Sequence, residues 1–178
     1  MEAIIANSKL SLKPFDRNHV ADFVEAVRES ADTVGIWMSW CHAEYSRKEA
    51  LSWFKACQHN IDNKSAYDIG VFLTEDNRLV GGISINEINH QNNIGNIGYW
   101  IRESFQQQGI ASSAVELIKT FGFDTLGLTR LEIVILQGNI ISRKVAEKSG
   151  AKFECIAQNR LIHNGQAMAA AVYSLVPG

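Results

Sequence analysis

A short polar turn, Gln106-Gln107-Gln108-Gly109-Ile110-Ala111, separates two segments of different character in this chain. The run before it, Ile97-Gly98-Tyr99-Trp100-Ile101, is apolar and predicts a strand. The segment after it, about 109–123, has apolar residues at helical spacing and predicts an amphipathic helix. A glycine turn at a helix N-terminus presents several backbone N–H groups to one point, where the helix dipole adds positive potential. We therefore predict a phosphate or pyrophosphate site that needs no lysine or arginine, because Gly109 lets the ligand approach the backbone closely.

The alternative is an ordinary strand-to-helix turn that binds nothing, so the surrounding sequence matters. The pattern Gln-x-x-Gly-x-Ala of residues 106–111 resembles the acetyl-CoA pyrophosphate loop of the GNAT superfamily of N-acetyltransferases. About thirty residues later, Asn139-Ile140-Ile141-Ser142 is followed by Glu147-Lys148-Ser149-Gly150. This pair of motifs resembles the signature of the ribosomal-protein serine/alanine N-acetyltransferase branch, the RimJ/RimL type. The resemblance extends from about residue 10 to residue 176 and is sharpest from 97 to 150.

The resemblance implies the GNAT acyl-CoA N-acyltransferase fold in a single domain over residues 1–178. That fold is α/β, with a mixed, mostly antiparallel central sheet, one parallel strand pair and flanking helices. The residue pattern itself predicts the element order β-α-α-β-β-β-α-β-α-β-β. Turn signals at 75–78 and at Asn164-Gly165 predict antiparallel hairpins, and the strands around the 109–123 helix can be parallel through a right-handed crossover. A Rossmann site is excluded because no Gly-x-Gly-x-x-Gly follows the first strand.

Several local patterns carry further structural expectations. Ser46 and Glu49 have the spacing of a capping box and predict the start of a helix. The segment 31–44 predicts a loop or a short helix. The predicted helix after Ser46 buries five residues, namely Ala50, Leu51, Phe54, Cys57 and Ile61. The strand at 79–88 alternates as a half-buried strand does, with Leu79, Gly81, Ile83 and Ile85 on one face.

Composition narrows the class of protein. The chain has 178 residues, a formal net charge of −2, 46% hydrophobic residues and 20% charged residues, which is ordinary for a globular domain of this size. No basic run points to nucleic acid, and no apolar stretch approaches the roughly 20 residues of a membrane span. The three cysteines lack metal-ligand spacing, and the N-terminus does not resemble a signal peptide. We therefore expect a cytoplasmic protein with no metal, nucleic-acid or membrane partner.

The resemblance also implies where acetyl-CoA, the expected co-substrate, binds. Pantetheine inserts like an added strand between the strand ending near Ile101 and the strand ending near Leu136. A bulge in the first of these strands is typical of the family, and Gly95 and Gly98 can accommodate one; the alternative is that both are simply flexible strand glycines. The backbone N–H groups of Trp100, Ile101 and Arg102 then face the thioester. The pyrophosphate loop comprises Gln106, Gln107, Gln108, Gly109, Ile110, Ala111 and Ser112.

Asn139 and Ser142 are expected at the opening of a short helix. In the functional interpretation the Asn139 amide contacts pantetheine, and Ser142 is a catalytic residue that gives a proton or a hydrogen bond to the departing thiolate. In the structural interpretation both residues simply cap the helix. One residue can do both.

The group that removes the proton from the acceptor amine is less well indicated. Glu87, at the end of a central strand, is the catalytic candidate, and Glu154 and His163 are the alternatives. Some members of the branch carry a glutamate beyond the glycine turn, but residues 158–161 contain no acid. We therefore predict no single dominant base, and a water chain to solvent remains an alternative.

The sequence leaves open which amine accepts the acetyl group and whether the protein is an enzyme at all. A protein N-terminal α-amine such as that of a ribosomal protein is the first hypothesis, and a small amine is the second. A binding module that senses acyl-CoA without turnover is the third. Trp37, Trp40 and Tyr45 either line the acceptor side or fill the core under a loop, and an edge-strand homodimer also remains open.

Overall fold

The computed structural model describes residues 4–178, so the segment 1–3, on which the expectation about a signal peptide partly rests, lies outside it. One eight-stranded sheet and four α-helices make up the described fold. The strands are β1 (Ile5–Ala6), β2 (Leu10–Lys13), β3 (Tyr67–Leu73), β4 (Leu79–Asn89), β5 (Ile94–Ile101), β6 (Arg130–Leu136), β7 (Lys152–His163) and β8 (Gln166–Leu175). The helices are α1 (Val20–Glu29), α2 (Arg47–Asp62), α3 (Ile110–Thr120) and α4 (Ile140–Lys148).

The strand order across the sheet is β1-β2-β3-β4-β5-β6-β8-β7. Every pair is antiparallel except β5 and β6, which are parallel and are joined through α3. The predicted fold class and the predicted parallel pair are therefore confirmed. The structure adds the two-residue strand β1, and a π-helical turn over Phe121–Thr125 follows α3.

Two helical layers bury both faces of the central strands. The residues of β4 from Leu79 to Ile85 are all buried, so the expectation of a half-buried strand was wrong. Residues such as Ile83 and Ile85 pack into the core beneath α3, whereas Phe72 and Trp100 belong to an aromatic core beneath α1 and α2. A strand covered on both faces has no solvent side to keep polar.

Helix α2 begins as predicted and buries a narrower face than predicted. Ser46 accepts from the Glu49 N–H and Glu49 bonds back to Ser46, so the capping box is confirmed. Leu51 is 38% exposed and Ile61 is only partly buried, which contradicts the expected core positions. Because α2 lies on the surface, only a narrow stripe of the helix is buried, and residues at the border of that stripe face solvent.

The central feature of the sheet is a gap between its two parallel strands. Strands β5 and β6 pair only from Ile94↔Arg130 to Asn96↔Glu132, after which they separate. Strand β5 continues to pair with β4 as far as Ile101, and β6 continues to pair with β8 as far as Leu136. The separation therefore leaves two edges, one on each side, in the middle of an otherwise continuous sheet.

The expected bulge is not on β5. Pairing of β4 with β5 is regular over 81–86, and the irregularity lies on β4 between Asn86 and Asn89, where Glu87 has a φ of 48°. Gly95 instead allows close packing, because a Cβ there would lie 2.8 Å from Cγ2 of Ile85.

Candidate active site

The turn before α3 exposes its backbone donors. Gln107 and Gly109 have positive φ values of 60° and 78°, and Gly109 is the residue that precedes the first turn of α3. Within the described part of the chain, the N–H groups from Gln107 to Ser112 donate to no protein acceptor. Helix N-termini leave such groups unpaired by geometry, and a left-handed residue turns them toward one point.

The glutamine side chains of this turn are used within the protein. Nε2 of Gln106 donates to the Ile101 carbonyl at 3.0 Å and to Oγ1 of Thr33 at 3.1 Å. Nε2 of Gln108 donates to the Ser104 carbonyl at 3.1 Å. These bonds fix the shape of the turn, and the Gln106 N–H is also occupied, because it donates to the Glu103 carbonyl at 3.1 Å.

A cation lies beside the turn, although the sequence predicted a site that needs no lysine or arginine. A Cβ built on Gly109 would lie 3.9 Å from Nζ of Lys148, the last residue of α4. The motif at 147–150 thus meets the motif at 106–111 in space. Lys148 adds a positive charge at the place where the exposed N–H groups converge.

The ladder between β4 and β5 decides which backbone groups face the gap. The Arg102 N–H donates to the Val80 carbonyl at 2.9 Å, and neighbouring groups along an antiparallel strand point alternately to either side. Trp100 and Arg102 therefore direct their N–H groups to β4, and of the three N–H groups expected to face the thioester only that of Ile101 faces the gap. The N–H group of Tyr99 also faces the gap, although Tyr99 was assigned no role from the sequence. The Arg102 guanidinium binds Glu25 and Glu29 at 2.6 Å each.

Two hydroxyl groups meet across the gap. Oγ of Ser142 donates to the Tyr99 hydroxyl at 2.9 Å, and that hydroxyl donates to the Ser142 carbonyl at 2.9 Å. Burial, the largest effect, raises the pKa of Tyr99 to about 12, so the phenol is protonated at neutral pH. Oδ1 of Asn139 accepts from the Ser142 N–H at 3.1 Å, which confirms a capping role for Asn139 but not for the Ser142 hydroxyl, and leaves Nδ2 of Asn139 available for a ligand.

These groups border a cavity of about 220 Å³. Asn139, Tyr99 and Ser142 line it from the α4 side. Trp37 and Met38 reach it from the loop between α1 and α2, and the end of β7 supplies 161–163. Residues from both faces of the sheet therefore line the cavity.

The aromatic residues of the 31–46 loop have different places. Trp37 lines the cavity and lies against Gly138, whose Cβ position is 3.8 Å from its ring. Trp40 is outside the cavity and packs edge-on against Trp100 at 5.6 Å, and Tyr45 is buried in the aromatic core. The structure thus supports an acceptor-side position for Trp37 alone.

The three expected bases differ in position. The Glu87 side chain is 62% exposed, lies 3.6 Å from Arg160 and does not line the cavity. Glu154 binds Arg130 through both carboxylate oxygens, and that hydrogen bonding, followed by the Ser174 hydroxyl, lowers the pKa of Glu154 to about 2. A carboxylate held in this way accepts a proton poorly at neutral pH. Among the three, only His163 lines the cavity.

Neither a metal site nor a membrane-spanning helix is present in the described residues. No group of three histidine, cysteine or acidic side chains in 4–178 is arranged to hold a metal ion. No helix in the same part of the chain is long and apolar enough to cross a membrane.

The family follows from a comparison with known proteins. The acetyltransferase (GNAT) domain model matches residues 9–152, and the chain therefore belongs to that family. Its sheet with one parallel, splayed pair is the GNAT fold, as the motifs at 106–111 and 139–150 had implied.

Individual relatives are similar to this chain in sequence and in structure. Residues of this chain are 26% identical over 165 positions to the ribosomal-protein-serine acetyltransferase of Escherichia coli, covering 92% of this chain and 90% of that protein. A structure from Vibrio cholerae, provisionally described as a ribosomal-protein-serine acetyltransferase, is 35% identical, with a TM-score of 0.87 and coverage of 97% of each chain. YjcK of Bacillus subtilis is 31% identical over 109 residues, or 61% of this chain, and this chain spans only 60% of that relative.

Proposed function

We propose that this domain, over residues 1–178, is a cytoplasmic N-acetyltransferase that uses acetyl-CoA to acetylate a protein N-terminal α-amine, such as that of a ribosomal protein. The gap between β5 and β6, with the Tyr99 and Ser142 hydroxyls at its edge, carries this proposal. The names of the Escherichia coli and Vibrio cholerae relatives support the acceptor class. Structures of the same fold, at 22% and 24% identity, hold acetyl-CoA and coenzyme A.

Donor binding uses the turn before α3 and the open strand edge. The pyrophosphate accepts hydrogen bonds from the N–H groups of Gln107 to Ser112, and Lys148 offsets its charge. Pantetheine pairs with the edge of β5 at Ile101, and Nδ2 of Asn139 donates to one of its carbonyl groups. The thioester then reaches the hydroxyl pair of Tyr99 and Ser142.

The chemistry needs little more than placement and a proton donor. A neutral amine attacks the thioester carbonyl, and holding the two reactants together contributes on the order of 7–11 kcal/mol at best. The departing thiolate accepts a proton or a hydrogen bond from Ser142, whose hydroxyl proton turns from the Tyr99 oxygen to the sulfur. An α-amine has a pKa of about 7.7–8.0, so a useful fraction is neutral near pH 7.

Release of coenzyme A thiol tests the proposal. We expect wild-type protein to release thiol from acetyl-CoA fastest with peptides that begin with Ser or Ala, and not with the same peptides blocked at their N-terminus. A panel of small amines serves as the competing acceptor class. Faster release with a small amine would reassign the acceptor, and acetyl-CoA binding without any thiol release would make the protein a sensor.

A further inference from the structure

Three residues form a straight row across the centre of the sheet. Asp68 on β3 lies opposite Ser84 on β4, and Ser84 lies opposite Gly98 on β5. Directly opposed residues have Cβ atoms about 4.5–5.5 Å apart and share one face of the sheet. This is the face that α1 and α2 cover, since Phe72 and Trp100, at alternate positions on the same strands, belong to that core.

Gly98 joins the row to the cavity. It lines the cavity, and a Cβ at this position would lie 3.1 Å from Oγ of Ser84. Because glycine has no side chain, only the Gly98 backbone lies between the cavity and the Ser84 hydroxyl, which itself does not line the cavity. Ser84 is otherwise buried, with 7% of its surface exposed.

Hydrogen bonds orient the Ser84 hydroxyl. Nδ2 of Asn86 donates to Oγ of Ser84 at 3.0 Å, and Nδ2 of Asn96 donates to Oδ1 of Asn86 at 2.9 Å. With a lone pair of Ser84 so occupied, its proton is free to point to Asp68. Oδ1 of Asn96 is buried and has no hydrogen-bond partner in the described structure. It stands two residues from Gly98 on the same strand face, as an unused acceptor for an N–H group.

Although the sequence predicted no single dominant base, we propose that Asp68 receives the proton of the acceptor amine through the Ser84 hydroxyl beside Gly98. The ammonium N–H bond breaks as its proton moves to Oγ of Ser84, and the serine proton moves to the Asp68 carboxylate. The freed nitrogen lone pair attacks the thioester carbon, and the C–S bond then breaks. The second nitrogen proton ends on the coenzyme A sulfur, and Asp68 returns its proton to solvent.

The surroundings of Asp68 suit this role. Burial raises the pKa of Asp68 to about 6, against the opposing effects of Ser84 and Asn60. The titratable group of α2 that faces Asp68 is Cys57, and burial raises the pKa of that thiol. The other two neighbours, Asn60 and Ser84, are neutral. A proton acceptor works best when its pKa lies near the operating pH. Asp68 thereby acts through Ser84 as a positioning and proton-accepting residue.

The proposal rests on the proposed acetyltransferase activity, and the test separates the two. We would measure kcat/KM from pH 5 to 9 for wild type, Asp68→Asn, Ser84→Ala and a control, Asp62→Asn. The control changes an exposed acid on α2 that contacts Gln58. The acceptors are peptides whose N-terminal amines differ in pKa, from well below to well above neutral.

We expect Asp68→Asn to lose roughly 10²-fold at pH 7 with strongly basic amines, the usual size of a positioned proton acceptor's contribution. The loss should shrink below about tenfold with weakly basic amines, which are already neutral, and the ionisation near pH 6 should disappear from the profile. Ser84→Ala should show the same dependence on amine pKa, and it carries the test if Asp68→Asn does not fold.

Other outcomes overturn the proposal. A loss of equal size for all amines would indicate a structural role for Asp68. An unchanged pH profile for Asp68→Asn would mean that another group accepts the proton, and His163 would be the first to examine. If wild type releases no thiol with any amine, the acetyltransferase proposal itself fails, whatever the variants do.

Discussion

Gly109→Val tests the pyrophosphate site with a stability effect and an affinity effect that can be separated. Gly109 has a φ of 78°, a left-handed conformation that costs an L-residue about 1–2 kcal/mol and a β-branched residue more. The added side chain meets open space apart from Nζ of Lys148, so the variant should fold with a lower melting temperature. The valine methyl groups would occupy the space in which the phosphate approaches the N–H groups.

The expected loss of affinity follows from the hydrogen bonds at risk. A hydrogen bond to a charged group contributes about 1.5–3 kcal/mol, so losing one of them corresponds to roughly a ten- to hundredfold increase in Kd. Calorimetric titration with acetyl-CoA measures this change directly. The folded state of the variant is checked by its thermal unfolding.

Gly127→Val is the matched control. Gly127 has a φ of 69° and open space around its Cβ position, and it lies in the turn between α3 and β6. It should therefore lose a similar amount of stability without a change in acetyl-CoA affinity. A folded Gly109→Val protein with wild-type affinity would refute the proposed site.

The remaining predictions concern single side chains. Ser142→Ala should lower kcat by roughly 10²-fold while acetyl-CoA affinity stays nearly intact, whereas full activity with a lower melting temperature would leave its hydroxyl a structural partner of Tyr99 only. Lys148→Gln should raise the Kd for acetyl-CoA and weaken its dependence on salt, and equal salt slopes for both proteins would exclude a phosphate contact. Glu87→Gln and His163→Ala should each keep more than about a tenth of kcat/KM, below the usual effect of removing a base. Glu154→Gln should flatten the fall in stability between about pH 4.5 and 2 in urea titrations, because a carboxyl pKa depressed by folding contributes stability that is lost as pH falls through it.

Local patterns explain why much of the fold was predictable. The Ser46–Glu49 capping box, the alternating strand over 130–136 and the Asn164-Gly165 turn each involve contacts within a few residues. Both residues of that turn have positive φ values, which is the conformation that Asn-Gly favours between two strands. The motifs at 106–111 and 139–142 also appear where the sequence placed them, at the openings of α3 and α4.

Contacts between distant segments explain most of what was missed. Tyr99 meets Ser142 and Lys148 approaches Gly109 only because β5, α3 and α4 pack around one gap. Which N–H groups of 100–102 face that gap depends on the pairing with β4, and a shift of one residue would reverse it. Asp68 did give a local signal, since it is the one acid inside the apolar run 67–73, but its partner Ser84 becomes adjacent only in the folded sheet.

The site of the transferred acetyl group tests the central claim most directly. A peptide that begins with Ser and also contains one internal lysine would be incubated with acetyl-CoA and the protein, and its product mapped by tandem mass spectrometry. The account predicts an acetyl group on the N-terminal nitrogen and none on the lysine, with one thiol released per acetylated peptide and a large loss of product with Ser142→Ala. Acetylation of the lysine, or no acetylated peptide from a protein that binds acetyl-CoA, would contradict it.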